Sequence, residues 1–279
     1  MFHRHFASKV LSAAVCFGWA CPTLAVDGVV LIDQSRALAG GVTAGDTPGF
    51  PVTITQSGSY RLASDLNVGA LSATSHAVEI VVPVSGKALD VRIDLNGFSL
   101  RGVDVCTVVA DGQDGTLNCT SAPGQTFGVA SRNNVGGSLT VVNGTVRGFS
   151  SGGVLCNEAT CRIEGLRISN NGQLGIWLTG SNPALSSIVG NLVYANGGNG
   201  IVGGAGVVQG NVVRRNKLDG IAAGGLVSGN TVAENGRYGL SGNAGYVGNV
   251  FYANGLANIA PFAAAVPLGL NQCGAGLCP

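Results

Sequence analysis

A phrase that begins Gly-Asn recurs four times in the second half of this 279-residue chain. Its copies begin at Gly190, Gly210, Gly229 and Gly248, so the period is 19 to 20 residues. A second asparagine follows five residues after the first in every copy, and a diverged copy begins at Gly165. Self-similarity at a short fixed period is typical of solenoids, in which stacked repeats share one core. The repeat therefore restricts the chain to a stacked architecture.

Each repeat contains short apolar pieces separated by Gly and Asn, for example Leu192-Val193 and Ile201-Val202. Such pieces suit strands of a few residues, and the separators suit tight turns with positive φ. Strands of successive repeats would pair about 4.8 Å apart, with right-handed crossovers. We therefore predict an all-β, single-stranded right-handed parallel β-helix. Leucine-rich repeats have a similar period, but their regularly spaced leucines are missing here.

The period also assigns side chains to columns that run from coil to coil. Two columns are predicted to face inward: Ile188, Val208, Val227 and Tyr246, and Ile176, Ile201, Ile221 and Leu240. The column of second asparagines is predicted to be a ladder of stacked side-chain amides: Asn196, Asn216, Asn235 and Asn254.

The same phase, weakened, extends towards the N-terminus and gives the domain organisation. The solenoid is predicted over residues 76–260, with roughly nine coils at this period. An irregular stretch at about 103–135 overruns one coil and is expected to bulge out as a loop. Residues 26–75 are expected to cap the open first coil, and residues 261–279 to form a tail over the last one.

The first 25 residues have the pattern of a secretory signal peptide. A basic start precedes the apolar run 10–20, and Thr-Leu-Ala at 23–25 offers a small-residue cleavage site. Without Arg4 and Lys9, 13 of the 15 basic side chains remain against 14 acidic ones, a net charge of −1. That balance argues against nucleic acid as a partner, and no later apolar run has the length of a membrane span. We expect a secreted or periplasmic protein.

Six cysteines lie outside the signal pattern, in three closely spaced pairs. Short spacings favour sequential disulfides, although other connectivities and a metal site remain open. Because His76 is the one histidine left and no CxxC motif occurs, the ligand chemistry for zinc is poor. The predicted disulfides are Cys106–Cys119, Cys156–Cys161 and Cys273–Cys278.

Two early segments resemble a known family. Residues 33–68, which contain GSYRL, and residues 91–102, VRIDLNGFSLRG, are similar to the opening of secreted bacterial right-handed β-helix repeat proteins with the pectate-lyase-like superfold. The resemblance covers essentially the whole mature chain and implies fold, export and an association with polysaccharides. Characterised relatives cut, epimerise or hold acidic polysaccharides on an outward sheet face, although fold alone does not fix function.

The residues of the established mechanisms are absent from the sequence. A pectate-lyase-like reaction needs clustered carboxylates for calcium and a basic residue, and a polygalacturonase-like one needs a close Asp pair. The chain has no Asp-Asp and no Gly-His-Gly. The stretch DGQDG at 111–115 lacks the ligand spacing of a calcium loop and is expected to be a polar loop tip. We therefore predict neither a metal nor a cofactor.

A first candidate site lies on outward positions of the early coils. Acid, amide and guanidinium groups in neighbouring columns could grip sugar hydroxyls or uronate carboxylates, or could form ion pairs on a solvated face. The weak candidates for catalysis are Asp94, Arg162 and Glu164, and those for ligand binding are Asn96, Asn143 and Arg147, with Arg101 near the following turn.

A second group of candidates lies on the later coils. Trp177 is predicted to face outward in the register of Val202 and could stack on a sugar ring, or pack beneath a loop. Arg214 shares a column with Tyr194 and Tyr252, and these three could bind a glycan along one edge. Arg215 is predicted to pair with Glu234 one coil away, and Asp219 to face Tyr238, as supports of a turn.

Three hypotheses remain. The first is an exported, non-enzymatic β-helix that binds polysaccharide or serves as a surface or structural module. The second is a polysaccharide lyase, hydrolase or epimerase with an atypical site on the early coils, which requires Asp94, Glu164 and an arginine to converge. A phage-type adhesin is a weaker third. The oligomeric state is not predicted.

Overall fold

The computed structural model describes residues 28–278 apart from 70–74, 83–85, 87, 104, 110–115, 121–123, 133–136, 158, 181–184 and 205. The predicted signal segment 1–25 and the stretch DGQDG at 111–115 lie outside the described residues.

The described chain consists of short strands and one short helix, as the turn-rich repeat requires. In chain order they are β1 (Val29–Ile32), α1 (Gln34–Ala39), β2 (Val52–Ile54), β3 (Gly58–Leu62), β4 (Leu66–Asn67), β5 (Val78–Val81), β6 (Asp90–Asp94), β7 (Ser99–Arg101), β8 (Cys106–Val109), β9 (Thr116–Cys119), β10 (Phe127–Arg132), β11 (Ser138–Arg147), β12 (Gly152–Asn157), β13 (Thr160–Ser169), β14 (Leu174–Thr179), β15 (Ser186–Val189), β16 (Leu192–Tyr194), β17 (Ile201–Gly203), β18 (Gly206–Gln209), β19 (Val212–Arg214), β20 (Ile221–Ala223), β21 (Gly225–Ser228), β22 (Thr231–Ala233), β23 (Tyr238–Ser241), β24 (Ala244–Val247), β25 (Val250–Tyr252), β26 (Ala257–Ile259), β27 (Val266–Pro267), β28 (Gln272–Cys273) and β29 (Gly276–Leu277).

The strands form the predicted parallel solenoid of about nine coils. One strand of each coil enters a nine-stranded parallel sheet, here called the front sheet, in the order β2-β5-β10-β12-β14-β17-β20-β23-β26. Eighteen further strands form a second sheet in two rows, and β8 and β9 pair with each other in a separate sheet. The first row contains β3, β6, β15, β18, β21 and β24, and the second row contains β4, β7, β16, β19, β22 and β25. The long strands β11 and β13 bend and run through both rows.

The paired stack is longer at both ends than the sequence predicted. Strand β1 pairs with β3 in parallel, and β3 pairs with β6, so segment 26–75 supplies strands of the same sheets and is not only a cap. At the other end, β27 and β28 pair with β24 and β25, which makes the tail 261–279 a further partial coil. Both segments lack the Gly-Asn phrase, so the repeat gave no signal for their strands.

Both predicted inward columns are confirmed. Their residues are at most 3 % exposed and follow each other in register from strand to strand. The later coils contain aromatic side chains in this core, where Tyr246 contacts Phe251 edge to face at 6.3 Å between ring centroids. The repeat therefore predicted which side chains of these two columns face the core.

The predicted asparagine ladder is confirmed, and a second one runs parallel to it. The Asn216 side-chain amide donates to Oδ1 of Asn235 at 3.0 Å and accepts from Nδ2 of Asn196 at 2.9 Å. The first asparagines of the phrase and one asparagine of the tail form the additional ladder, with amide–amide distances of 2.9 to 3.0 Å: Asn191, Asn211, Asn230, Asn249 and Asn271.

Each ladder follows a residue with left-handed backbone. In the first turn that residue is glycine, with φ of 63° at Gly210 and 64° at Gly190. In the second turn it is a residue with a side chain, such as Arg215 and Glu234, with φ of 53° and 56°. A non-glycine residue in this conformation costs free energy, and the buried amide that follows it offsets that cost.

The irregular stretch contains a two-stranded antiparallel hairpin of β8 and β9, closed by the disulfide between Cys106 and Cys119. The loop prediction 103–135 is too long at its end, because Phe127–Arg132 returns to the front sheet as β10. The other disulfides join Cys156 with Cys161 and Cys273 with Cys278, so the sequential pairing is confirmed. The hairpin contacts the second turn of the coil that contains Asn170, where Asn170 Nδ2 donates to the Cys106 carbonyl at 2.8 Å.

Candidate functional site

The two acids predicted for catalysis are separated by the strand register. Asp94 on β6 pairs with Val142 on β11, and Val142 pairs with Glu164 on β13, so the acids lie two coils apart. Two coils correspond to roughly 9–10 Å between backbones. Each acid also has its own arginine: Arg61 Nε lies 3.6 Å from Asp94, and Arg162 Nη2 lies 2.6 Å from Glu164. The required convergence of Asp94, Glu164 and an arginine is therefore not found.

Asp94 instead organises a turn together with two predicted ligand-binding residues. Its Oδ1 accepts from the Asn96 backbone N–H at 2.9 Å and from Asn143 Nδ2 at 3.3 Å. Asn96 and Asn143 have φ of 51° and 60°, the conformation that glycine adopts in later coils. The three residues are brought together, and the contacts stabilise the bend between the two rows.

The remaining polar candidates share one outward column of the second row. The register aligns Arg101 with Arg147 and Ser169 with Tyr194, and it continues from Tyr194 through Arg214 to Tyr252. Arg101 is paired with Asp65 at 3.0 Å. Arg101 and Arg147 of the first patch thus share a face of the second row with the column of Tyr194. The other residues of that patch lie in the first row or at the bend between the two rows.

Arg167 belongs to this face and was missed by sequence reasoning. Its Nε and Nη2 donate to the Tyr194 hydroxyl at 2.9 and 2.6 Å, and its guanidinium lies 4.8 Å from the Tyr194 ring centroid. Arg167 lies in the diverged repeat copy, one coil before Tyr194 and two residues away in register. The sequence already contained this diagonal relation, because the period fixes the columns of both residues.

The predicted turn supports are confirmed. Arg215 Nε lies 2.5 Å from Glu234 Oε2 across neighbouring coils. Asp219 is 6 % exposed, accepts from the Ser241 hydroxyl at 2.8 Å and from the Tyr238 backbone N–H at 3.3 Å, and lies 3.5 Å from Arg237. These charges are satisfied within the solenoid.

A pocket of about 340 Å³ opens around Trp177 on the outward face of the front sheet. Trp177 is half-buried, in register with Leu155 and Val202, as the sequence predicted for its column. Its ring centroid lies 6.4 Å from that of the buried Phe127. The exposed side chains of Gln125 and Gln173 also line the pocket. Apolar rings and amide groups therefore face the same space.

His76 is the titratable side chain among the pocket residues. It is 5 % exposed, and its Nδ1 accepts from the Phe127 backbone N–H at 2.9 Å, which assigns a proton of the neutral ring to Nε2. The sequence placed His76 at the start of the coils but gave no neighbour for it. The partners Gln125 and Phe127 follow the irregular insertion, where the repeat phase is lost.

A second, more polar pocket of about 290 Å³ adjoins the first and shares Gln173 with it. Cys119 of the hairpin, Ser150 and Lys217 line it. The hairpin thus borders the groove that continues from Trp177. Among the described residues, no group of three or more His, Cys, Asp or Glu could hold a metal ion. In the same part of the chain, no helix is long and apolar enough to cross a membrane.

The stacked coils and their outward faces define a right-handed parallel β-helix protein. The chain belongs to the family described as right handed beta helix region, which matches residues 90–235. A comparison with curated proteins gave no match.

Several solved structures are similar at low identity. Full-length tailspike protein 2 from Escherichia coli O157:H7 bacteriophage CAB120 is 14 % identical with a TM-score of 0.41, over 78 % of this chain and 34 % of that one. The periplasmic alginate epimerase AlgG is 12 % identical with a TM-score of 0.34, over 87 % and 83 %. The Dettilon tailspike protein gp208 is 15 % identical with a TM-score of 0.32, over 81 % and 46 %. This chain spans about a third of the first tailspike's length.

Proposed function

We propose that the protein is an exported, non-catalytic saccharide-binding β-helix whose ligand site is the Trp177 pocket. The observation that carries the proposal is the pairing of two aromatic rings, Trp177 and Phe127, with two exposed amides, Gln125 and Gln173. Aromatic faces pack on the apolar face of a pyranose ring, and amides donate to and accept from its hydroxyls. A volume of about 340 Å³ lies within the range of small-ligand pockets.

The residues around the pocket support binding without turnover. Cleavage of a glycosidic bond needs two carboxyl groups on opposite sides of the scissile bond. The described lining residues include no carboxylate, and Asp94 and Glu164 belong to the other sheet, each beside its own arginine. The alternative enzyme at Asp94, Arg162 and Glu164 would require both ion pairs to break and the strands to shift.

Two observations support export. Three disulfides are characteristic of proteins that fold in oxidising compartments. Residues 1–25 have the basic, apolar and small-residue pattern of a signal peptide. We therefore assign the mature protein to the periplasm or the extracellular space, where polysaccharides are its available partners.

A glycan panel tests the proposal directly. Trp177 is the one tryptophan outside residues 1–25, so its fluorescence reports on the pocket. We expect a saturable fluorescence change with at least one polysaccharide and no release of reducing or unsaturated ends. Calorimetry should show that Trp177→Ala removes this binding. The matched control Phe262→Ala, which removes an exposed aromatic ring near the end of the stack, should retain it.

Either of two results would contradict the proposal. Product release by the wild-type protein would contradict its non-catalytic part. Equal affinity of wild-type protein and Trp177→Ala for the glycan that changes the Trp177 fluorescence of the wild type would contradict the assignment of the site.

A further inference from the structure

We propose a second binding site, for an acidic polysaccharide, on the outward side of the second row. We call it the arginine–tyrosine face, and its residues are Arg101, Arg147, Arg167, Tyr194, Arg214 and Tyr252. It lies on the eighteen-stranded sheet, whereas the Trp177 pocket lies on the front sheet. Each site can therefore be tested with variants that leave the other site unchanged.

The two rows of the eighteen-stranded sheet differ in the charges that they carry on their outward side. Outward positions of the first row mix signs, since Arg92 and Asp94 share β6 and Arg162 and Glu164 share β13. Within their strands, the two outward columns of the second row carry four arginines and no carboxylate, and Asp65, which directly precedes β4, pairs with Arg101 at 3.0 Å. The two columns are Asn67, Arg101, Arg147, Ser169, Tyr194, Arg214, Ala233 and Tyr252, and Ser99, Thr145, Arg167, Leu192, Val212, Thr231, Val250 and Gln272.

The arginines of the face do not have equal roles. Arg101 and Arg147 are directly opposite each other on neighbouring strands. Arg101 is paired with Asp65 at 3.0 Å, so its charge is already compensated within the solenoid. Arg167 and Arg214 are therefore the arginines on which binding of a polyanion depends.

The guanidinium groups of Arg167 and Arg214 are available to a ligand, and that of Arg167 is held in place. The Tyr194 hydroxyl accepts from Nε and Nη2 of Arg167, which fixes the planar group while Nη1 remains available to donate. Arg214, in the next coil, is exposed and has no ion pair or side-chain hydrogen bond with any residue that the structure describes. A fixed, planar guanidinium suits bidentate recognition of carboxylate or sulfate groups. Tyr194 therefore acts as a positioning residue for Arg167.

A groove of about 470 Å³ lies beside Arg167. It follows the bend between the two rows and is lined by Asn143, Gly165, Gly190 and Leu192. Gly165 and Gly190 have left-handed backbone, with φ of 62° and 64°, so the strip has no side chains above it. A polymer that lies along the solenoid axis can approach this backbone closely while Arg167 contacts its acidic groups.

The apolar neighbours of the face favour a polysaccharide as the polyanion. Val212 and Val250 in the adjacent column are 38 % and 40 % exposed, and Tyr252 is 41 % exposed. These side chains offer contacts to the C–H faces of sugar rings between the charged groups. A single-stranded nucleic acid would use a series of exposed aromatic platforms, whereas Tyr252 is the one exposed aromatic residue among the residues of this face.

Polygalacturonate, with neutral dextran as the comparison, tests the proposal on the full mature protein. Binding should be measured by calorimetry at two or more salt concentrations. We expect association with polygalacturonate that weakens as salt rises, and none with dextran at this face. Arg167→Ala and Arg214→Ala should each weaken it about two- to fivefold and lower the salt dependence. Tyr194→Phe should weaken it less, because the ring contact to Arg167 remains.

The controls separate this site from a general charge effect and from the Trp177 pocket. Arg92→Ala removes an exposed arginine of the first row and should leave polygalacturonate binding unchanged. Trp177→Ala should also leave it unchanged. Equal losses in Arg92→Ala and Arg214→Ala would overturn the proposal, and so would loss in Trp177→Ala alone. A preference for a single-stranded oligonucleotide of equal charge over polygalacturonate would overturn the assigned ligand class.

Discussion

The coils from Ser186 to Tyr252 and the coils before Gly180 have similar cores but different outer surfaces. In the late coils, both turns of each coil end in a buried ladder asparagine, and outward charges are few. In the early coils, Leu166 occupies the position of the first ladder, and its backbone N–H donates to Asn191, where that ladder ends. The early coils also carry the hairpin, Trp177 and its pocket. The comparison teaches that residues which recur maintain the stack, whereas residues which do not recur are available for a ligand.

The ladder should account for the largest stability effect. Asn216→Ala removes two donated bonds, to Asn235 and Val193. It also leaves the Asn196 backbone N–H and one of the two side-chain N–H bonds of Asn196 without an acceptor. We expect a loss of about 3–5 kcal/mol in the free energy of unfolding, measured by urea denaturation. The exposed Asn67→Ala, outside both ladders, should change it by less than about 0.5 kcal/mol. Similar losses in both variants would contradict the structural role of the ladder.

Substitution of two glycines in the late coils should give the next largest losses of stability, and the two losses should differ. A Cβ at Gly200 would lie 2.5 Å from Val213 Cγ1 and 2.7 Å from the Gly220 carbonyl oxygen, so Gly200→Ala should cost about 2–3 kcal/mol through overpacking. Gly210 has no atom within 4 Å of such a Cβ but has φ of 63°, so Gly210→Ala should cost about 1–2 kcal/mol. Thermal unfolding of both variants measures the difference. A reversed order would show that backbone conformation, not space, limits the repeat.

Alkaline pH tests whether the two regions share one kind of core. Burial raises the pKa of both Tyr60, in the early coils, and Tyr246, in the late coils. A raised pKa in the folded state contributes stability that is complete below the unfolded value of about 10 and is lost as pH rises above it. We expect the free energy of unfolding to fall above pH 10, by up to about 1.4 kcal/mol per pH unit for each tyrosine. The free energies of unfolding of Tyr60→Phe and Tyr246→Phe, measured by denaturation, should each fall less steeply with pH. An unchanged slope would contradict the effect of burial on that tyrosine.

The smallest effects should come from the exposed ion pairs. Arg215 and Glu234 join two coils, whereas Arg162 and Glu164 belong to one strand. A double-mutant cycle to alanine should give a coupling of at most about 1 kcal/mol for either pair. Because all four side chains are at least a third exposed, we expect a further decrease at high salt. A coupling of several kcal/mol would show that these charges, and not the ladders, hold the coils in register.

The recurring part of the fold was predictable because a period of 19 to 20 residues fixes columns without knowledge of contacts. The inward columns, the second-turn ladder and the Arg215–Glu234 pair followed from that register alone. The first-turn ladder was missed, because Gly-Asn is also an ordinary turn sequence. The end strands β1 and β28 were missed, because they belong to coils that lack the phrase.

The Trp177 pocket was only partly predictable, for a related reason. The period placed Trp177 outward, but Gln125 and Phe127 follow an insertion of irregular length that interrupts the register. Asp94 and Glu164 were predicted in neighbouring outward columns, whereas the register of β11 places them in one column, two coils apart. That a residue faces outward was therefore easier to predict than its position on the outward face.

The central claim is that ligand binding and stacking depend on different residues, and one pair of variants tests it. Two quantities should be measured for both Trp177→Ala and Asn216→Ala: the free energy of unfolding, and the affinity per folded molecule for the glycan that changes the Trp177 fluorescence of the wild type. We expect Trp177→Ala to lose glycan binding with the smaller loss of stability, and Asn216→Ala to lose stability while its folded fraction binds as wild type. Normal binding by Trp177→Ala, or lost binding by folded Asn216→Ala, would contradict the account.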